Sequence, residues 1–383
     1  MVKILPTLIS VSLSLSVVFA HGFHGLEKRA GPVCPTAYAP IASGAYPALD
    51  CTPFVQDPQV QAWLKLVDFT KTPVYPPSVK GECPTDVASI PKDRCWWTCQ
   101  KCEAPDDVTF CPKAGTWGLT YDDGPSPDSP RLYDVLKQHN TKATLFIVGS
   151  RAISYPETLK RAYSEGHQIA IHTWSHASMT GLSNEQVVAE LKWTEKAIFD
   201  IIGVSPIYWR PPYGDVDNRV RNIATQLGFK TSIWTQDFDT NDWNIPATAT
   251  PETVVATFKS WLVKIPTMKT GFIVLEHDLL PAEVNVSLTG ILPIAYATKG
   301  LTMEPIAQCL NDGKPYKEGA GTFKLLPGSG GANGTAGTNG TNGPTVVNGS
   351  GKNGNSAGSA FATTSSVLMA GVSLAITAMI SVC

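Results

Sequence analysis

The sequence predicts an α/β fold in which a parallel sheet closes into a (β/α) barrel, preceded by a Cys-rich N-terminal extension. Between residues 117 and 309, short β-prone apolar runs alternate with amphipathic helical patterns, as βαβ units require. Polar residues gather directly after the apolar runs, at the carboxyl ends of strands where barrel enzymes place their ligands. Most of the nine cysteines, by contrast, lie before this region.

Six strands are expected, at residues 117–123, 143–149, 168–173, 207–210, 230–237 and 271–277. Helices are expected at 61–67, 130–139, 183–202, 218–227 and 251–262. Ser183 with Gln186 makes a capping box for the longest helix, and Gly228 is a stop signal after the fourth. Thr250 caps the last helix, with Pro251 at its first position.

Composition divides the chain into five predicted segments. Residues 1–20 combine Lys3, an apolar run and small residues at the cleavage point, which predicts a secretory signal peptide. The others are the Cys- and Pro-rich extension (21–113), the (β/α) domain (114–310), a Gly/Asn/Ser/Thr-rich stalk (311–357) and a removed GPI-anchor signal (358–383). A tail-anchored transmembrane helix is the alternative for the apolar C-terminal tail.

The cysteines and the charge restrict the class of protein. Eight cysteines remain once Cys383 leaves with the tail, and an even number in a secreted chain predicts disulfides, with a pairing that the sequence leaves open. A structural zinc site at the closely spaced Cys95, Cys99, Cys102 and Cys111 is the alternative. Trp96 and Trp97 could present rings to a polysaccharide, but packing around disulfides is favoured. The net charge of −2 gives no reason to expect a nucleic-acid partner.

The first candidate functional residues are Asp122 and Asp123, two adjacent carboxylates at the point where the first strand ends in Gly124-Pro125. His172 and His176 leave the third strand four residues apart. Two imidazoles and one carboxylate with open positions are typical of a catalytic rather than a structural metal site. Zn²⁺ suits these donors best, and Co²⁺ is possible.

Five motifs carry a family resemblance: TYDDGPSP, HTWSH, RPPYGD, DTNDW and LEHD. In this order they resemble the five motifs of the polysaccharide deacetylases (NodB-homology, carbohydrate esterase family 4). Together with the Cys-rich lead-in and the two terminal signals, the chain is similar to fungal members that act on chitin. The resemblance implies the distorted (β/α) barrel of the NodB-homology type for residues 114–310.

The resemblance also implies a division of roles among the residues of the motifs. Asp122 would be the general base, kept ionised by Arg210, and His277 the general acid, kept charged by Asp242. Tyr213 would donate its backbone N–H to the oxyanion. The metal ligands would be Asp123, His172 and His176, and the substrate groove would be lined by Tyr213 and Trp243.

The implied reaction is metal-dependent N-deacetylation of N-acetylglucosamine units in chitin, giving chitosan and acetate in the fungal cell wall. The partners would be chitin or N-acetylglucosamine oligomers and a GPI lipid anchor to membrane or wall glucan. The protein would then be secreted and GPI-anchored at the plasma membrane and cell wall. Two alternatives are a non-catalytic GPI-anchored wall or chitin-binding protein on this fold, and a deacetylase or esterase for another acetylated polysaccharide.

Overall fold

The computed structural model describes residues 34–324, and all of its paired strands are parallel. The strands are β1 (Thr116–Gly118), β2 (Thr120–Asp122), β3 (Thr144–Ile147), β4 (Gln168–Ile171), β5 (Tyr208–Trp209), β6 (Lys230–Thr231), β7 (Phe272–Ile273) and β8 (Thr302–Glu304). They form one sheet in the order β2-β3-β4-β5-β6 and a second in the order β7-β1-β8. The parallel α/β fold predicted from the sequence is confirmed.

Leu119 joins the two sheets, because β1 and β2 are one chain segment that changes partners at this residue. Its N–H donates to Glu304 O and its carbonyl accepts from Thr144 N, both at 2.9 Å. On the far side, Thr235 N donates to Ile273 O at 3.0 Å, which connects the segment after β6 to β7. The strands therefore close into a distorted barrel. Strand side chains such as Tyr121 and Phe146 are fully buried in its core.

Eleven α-helices lie within the described residues. They are α1 (Pro58–Leu64), α2 (Trp97–Gln100), α3 (Ser129–Gln138), α4 (Gly149–Ser154), α5 (Pro156–Ser164), α6 (Asn184–Ile202), α7 (Asn218–Gln226), α8 (Pro251–Lys264), α9 (Pro281–Val286), α10 (Leu292–Ala297) and α11 (Ile306–Cys309). The predicted capping box at Ser183 and Gln186 is present. The first helix begins three residues earlier than expected, because Asp57 caps it and Pro58 occupies its first turn. None of these helices is long and apolar enough to cross a bilayer.

Three disulfides cross-link the extension internally, and a fourth links it to the barrel domain. The pairs are Cys34–Cys51, Cys83–Cys99, Cys95–Cys102 and Cys111–Cys309. The zinc alternative for the closely spaced cysteines is therefore wrong, because each sulfur is bonded to another. Trp96 and Trp97 are each 2 % exposed, so the packing interpretation of these rings is confirmed.

The predicted stalk begins too early at residue 311. Tyr316 and Phe323 are buried in the core, and Ile207 N donates to Pro315 O at 3.0 Å. The low-complexity composition starts only near Pro327, so the apolar residues before it still cover the barrel. The predicted signal peptide, most of the stalk and the anchor signal lie outside the described residues.

Candidate active site

Three of the predicted site residues converge on one point at the carboxyl end of the sheet. Asp123 follows β2, His172 follows β4, and His176 lies on the loop beyond. Asp123 Oδ1 is 3.2 Å from His172 Nε2 and 3.1 Å from His176 Nε2. The three donor atoms lie within 4.8 Å of one another, so these side chains could hold a single metal ion.

The chemistry of this triad fits a divalent cation. His172 Nδ1 donates to Arg210 O at 2.8 Å, so that tautomer presents the Nε2 lone pair to Asp123. Asp123 Oδ1 is buried beside the two imidazole nitrogens, so a cation held among the three donor atoms would compensate its negative charge. Burial raises the pKa of Asp123, but the charge of His176 and the contacts with both imidazoles outweigh burial and hold the pKa well below its usual range.

Asp122 lies beside this triad and is paired with Arg210. Arg210 Nη1 donates to Asp122 Oδ1 and to Thr120 Oγ1, both at 2.8 Å. The guanidinium is fully buried and sits 4.1 Å from the ring centroid of Phe146. Asp122 Oδ2 is 3.8 Å from His172 Nε2, so this carboxylate borders the metal site without being one of its three donors.

His277 and Asp242 form the second charged pair. His277 Nδ1 is 2.7 Å from Asp242 Oδ1, and His277 N donates to Asp242 Oδ2 at 2.8 Å. Burial lowers the pKa of His277, but the Asp242 charge and hydrogen bond outweigh burial and raise the pKa well above its usual value. The backbones of His277 and Asp122 form an isolated parallel β-bridge. The two charged pairs therefore lie at the same end of the barrel.

Tyr213 and Trp243 occupy the rim of this end. Tyr213 has φ 59° and is 36 % exposed, and its hydroxyl lies 3.2 Å from His176 Nδ1. Trp243 is half-buried and follows Asp242, whose Oδ1 accepts its N–H at 2.9 Å. The structure thus brings Tyr213 next to His176 of the triad, and Trp243 next to Asp242 through its backbone.

Comparison with known proteins identifies the family. A polysaccharide deacetylase profile matches residues 110–232. Chitin deacetylase 3 of Cryptococcus neoformans var. neoformans serotype D is 38 % identical over 71 % of this chain and 70 % of its own length. The chain belongs to the polysaccharide deacetylase family.

Other members agree with this assignment. Chitin deacetylase 1 of Cryptococcus neoformans var. grubii serotype A is 47 % identical over 73 % of this chain, a match that spans 61 % of the relative. The chain therefore spans less than two thirds of this relative's length. The solved structure of the chitin deacetylase from Colletotrichum lindemuthianum is 30 % identical, with a TM-score of 0.50 over 55 % of this chain and 95 % of its own.

Glu190 is a site residue that sequence reasoning missed. It lies on α6, is fully buried, and its Oε2 accepts from Trp174 N at 2.8 Å and Ser175 N at 2.9 Å. Its Oε1 accepts from Ser175 Oγ at 2.5 Å. Helix α6 thus fixes the loop between the two histidines of this family member. The available signal was a carboxylate next to Leu191 on an apolar helix face.

Three more buried carboxylates, Glu276, Asp278 and Glu283, interact electrostatically with the charged groups of the site. Burial raises the pKa of Asp278 to about 7 and that of Glu283 to about 8. Burial also raises the pKa of Glu276 well above its usual value. In all three, burial away from water disfavours the charged carboxylate.

Proposed function

We propose that the protein is a metal-dependent deacetylase that hydrolyses the N-acetyl groups of N-acetylglucosamine units in chitin, giving chitosan and acetate. One observation carries the proposal: the Asp122–Arg210 pair and the His277–Asp242 pair stand beside one three-donor cluster. An ionised carboxylate and a protonated imidazole are the base and the acid that amide hydrolysis needs. The relatives named as chitin deacetylases support the choice of substrate.

Asp123, His172 and His176 would hold the cation, with Zn²⁺ favoured by the donor types and Co²⁺ also suited to them. When bound, such an ion supplies Lewis acidity. The arrangement of donors fits an open catalytic site, since two imidazoles and one carboxylate leave coordination positions for other ligands.

The chain's own residues perform the proton transfers. Asp122, which accepts a hydrogen bond from Arg210, takes a proton from the attacking water. The Tyr213 N–H donates a hydrogen bond to the developing oxyanion. His277 gives its proton to the nitrogen as the C–N bond breaks, and Asp242 stabilises its charged form. The net reaction adds the hydroxyl of water to the acetyl carbon and the proton of His277 to the amine nitrogen. Loss of the proton from Asp122 and uptake of a proton by His277 then restore the starting state.

The surroundings of the site favour a polymeric sugar outside the cell. Tyr213, beside His176, and Trp243, next in sequence to Asp242, are partly exposed aromatic residues, suited to packing against the apolar face of a sugar. Four disulfides support an oxidising compartment. We therefore propose a secreted protein, held at the plasma membrane or wall through the predicted GPI anchor.

Acetate release from N-acetylglucosamine oligomers tests the proposal, with acetylated xylan as the competing substrate. We expect release from the oligomers and little from xylan. Asp122→Asn should bind metal as the wild type does and release no acetate. Substantial activity in this variant would remove the base from the mechanism. Chitin binding without any acetate from the wild type would favour the non-catalytic alternative, and preference for xylan would favour an esterase.

A further inference from the structure

The extension contacts the loop that carries Tyr213 through a short, nearly continuous segment, residues 94–98. Four of its residues each bond to one residue of the loop, in positions 214–217. The bonds are Thr98 Oγ1 to Gly214 O at 3.0 Å, Trp96 Nε1 to Asp215 Oδ1 at 2.7 Å, Trp97 N to Val216 O at 3.0 Å, and Arg94 Nε to Asp217 Oδ2 at 2.9 Å.

The loop needs such support because its backbone is strained. Tyr213 is a non-glycine residue in the left-handed region at φ 59°, and Gly214 follows at φ 65°. Conformations of this kind cost about 1–3 kcal/mol at a non-glycine residue and persist where the surroundings impose them. A Cβ on Gly214 would lie 2.5 Å from the Trp97 ring, so this ring packs directly against the backbone beside Tyr213.

Asp215 extends the contact to the loop that follows His176. This side chain is 1 % exposed and accepts from Thr180 N at 2.9 Å and Thr180 Oγ1 at 2.8 Å, as well as from Trp96. One carboxylate therefore joins three segments: the extension, the Tyr213 loop and the segment beyond a proposed metal ligand.

The extension segment is itself rigid. The disulfide Cys95–Cys102 spans α2, and Cys83–Cys99 links α2 itself to the chain before it. The Trp97 ring lies edge-to-face on Trp234, with ring centroids 4.5 Å apart, so it is anchored in the barrel core. A segment that is already cross-linked by disulfides and anchored by a buried ring loses little conformational entropy when it binds a neighbouring loop.

We propose that residues 94–98 of the extension form a positioning clamp that holds the Tyr213 loop in its substrate-binding conformation. The clamp makes the extension part of the substrate site, although the family profile covers only residues 110–232. Trp96 and Thr98 are positioning residues: they act through the loop and touch none of the three proposed metal ligands. This inference rests on the proposed function for its substrate, an N-acetylglucosamine oligomer.

The test compares Trp96→Phe and Thr98→Val in the full chain with a matched control, Trp63→Phe. Trp96→Phe keeps the ring packing and removes the indole N–H, and Thr98→Val removes only the hydroxyl. Trp63 is another tryptophan of the extension; it is half-buried and its ring packs on Trp193. We measure KM and kcat on N-acetylglucosamine tetramer, zinc affinity by calorimetry, and hydrogen exchange of the peptide covering 211–217.

We expect Trp96→Phe to raise KM about tenfold, because it removes a hydrogen bond to a buried charged group. Thr98→Val should raise KM by a smaller factor, since Gly214 O is a neutral acceptor. Both variants should exchange faster at 211–217, with zinc affinity unchanged, and the control should match the wild type. The value of kcat should fall together with the rise in KM, because the loosened loop carries the Tyr213 N–H that is proposed to stabilise the oxyanion. Unchanged KM and exchange in both variants would overturn the clamp. If the wild type releases no acetate while Trp96→Phe still exchanges faster at 211–217, the proposed function fails and the clamp stands.

Discussion

Asp242→Asn is the change that most directly probes the acid side of the mechanism. Three donors point at the Asp242 carboxylate: His277 N, His277 Nδ1 and Trp243 N. An asparagine has one oxygen and one amide group in the same space. Its NH₂ would therefore face a donor, and the negative charge that stabilises the imidazolium would be gone.

The magnitude follows from the lost charged hydrogen bond, which is worth about 1.5–3 kcal/mol. At about 1.4 kcal/mol per factor of ten, the ratio of protonated to neutral His277 should fall by roughly 10- to 100-fold. Without the Asp242 charge, the effect of burial would dominate and lower the pKa of His277.

The pH profile of kcat/KM is the assay. A raised pKa keeps the proton on His277, so in the wild type activity is lost only as the pH rises through that folded-state value. In Asp242→Asn the basic limb should move to lower pH, and the activity above it should fall by the factor given. Asp237→Asn, an exposed carboxylate of the same loop, is the control and should leave the profile unchanged. An unshifted basic limb in Asp242→Asn would refute the assignment of His277 as the acid.

Three further changes test other parts of the structure. Arg210→Met leaves Asp122 as an uncompensated buried charge and should lower the unfolding free energy by about 3–5 kcal/mol in urea titrations; an unchanged midpoint would contradict the buried pair. Glu190→Gln removes the carboxylate that holds the loop between the histidines and should weaken zinc binding about tenfold in calorimetry, with unaltered affinity as the contrary result. Replacing Cys111 and Cys309 together by serine opens a link across 198 residues and should cost about 5 kcal/mol, and thermal unfolding as in the wild type would contradict this.

The sequence predicted the (β/α) domain well because its signals are local. The capping box at Ser183 and the apolar runs of the barrel strands depend on neighbours in the chain. β8 was missed, since Thr302–Glu304 is short and lacks an alternating pattern. The first helix was placed three residues late although Asp57-Pro58 is a readable start signal.

The site was predictable for a different reason. Parallel strands bring their carboxyl ends to one edge, so polar residues after separate strands meet there, as Asp123 and His172 do. The roles of these residues stay predictions until variants are assayed. The contacts of Glu190 and Trp96 could not be read from the sequence, because each joins segments through tertiary packing that leaves no periodic signal. Trp96 and Asp215, for example, are 119 residues apart.

The most direct measurement of the central claim is acetate release by metal-depleted protein before and after addition of one equivalent of Zn²⁺. The substrate is N-acetylglucosamine tetramer, and Asp123→Ala is assayed in parallel. We predict no acetate from the depleted protein, restored release after zinc, and no restoration in the variant. Equal acetate release with and without zinc would contradict the account, as would a fully active Asp123→Ala.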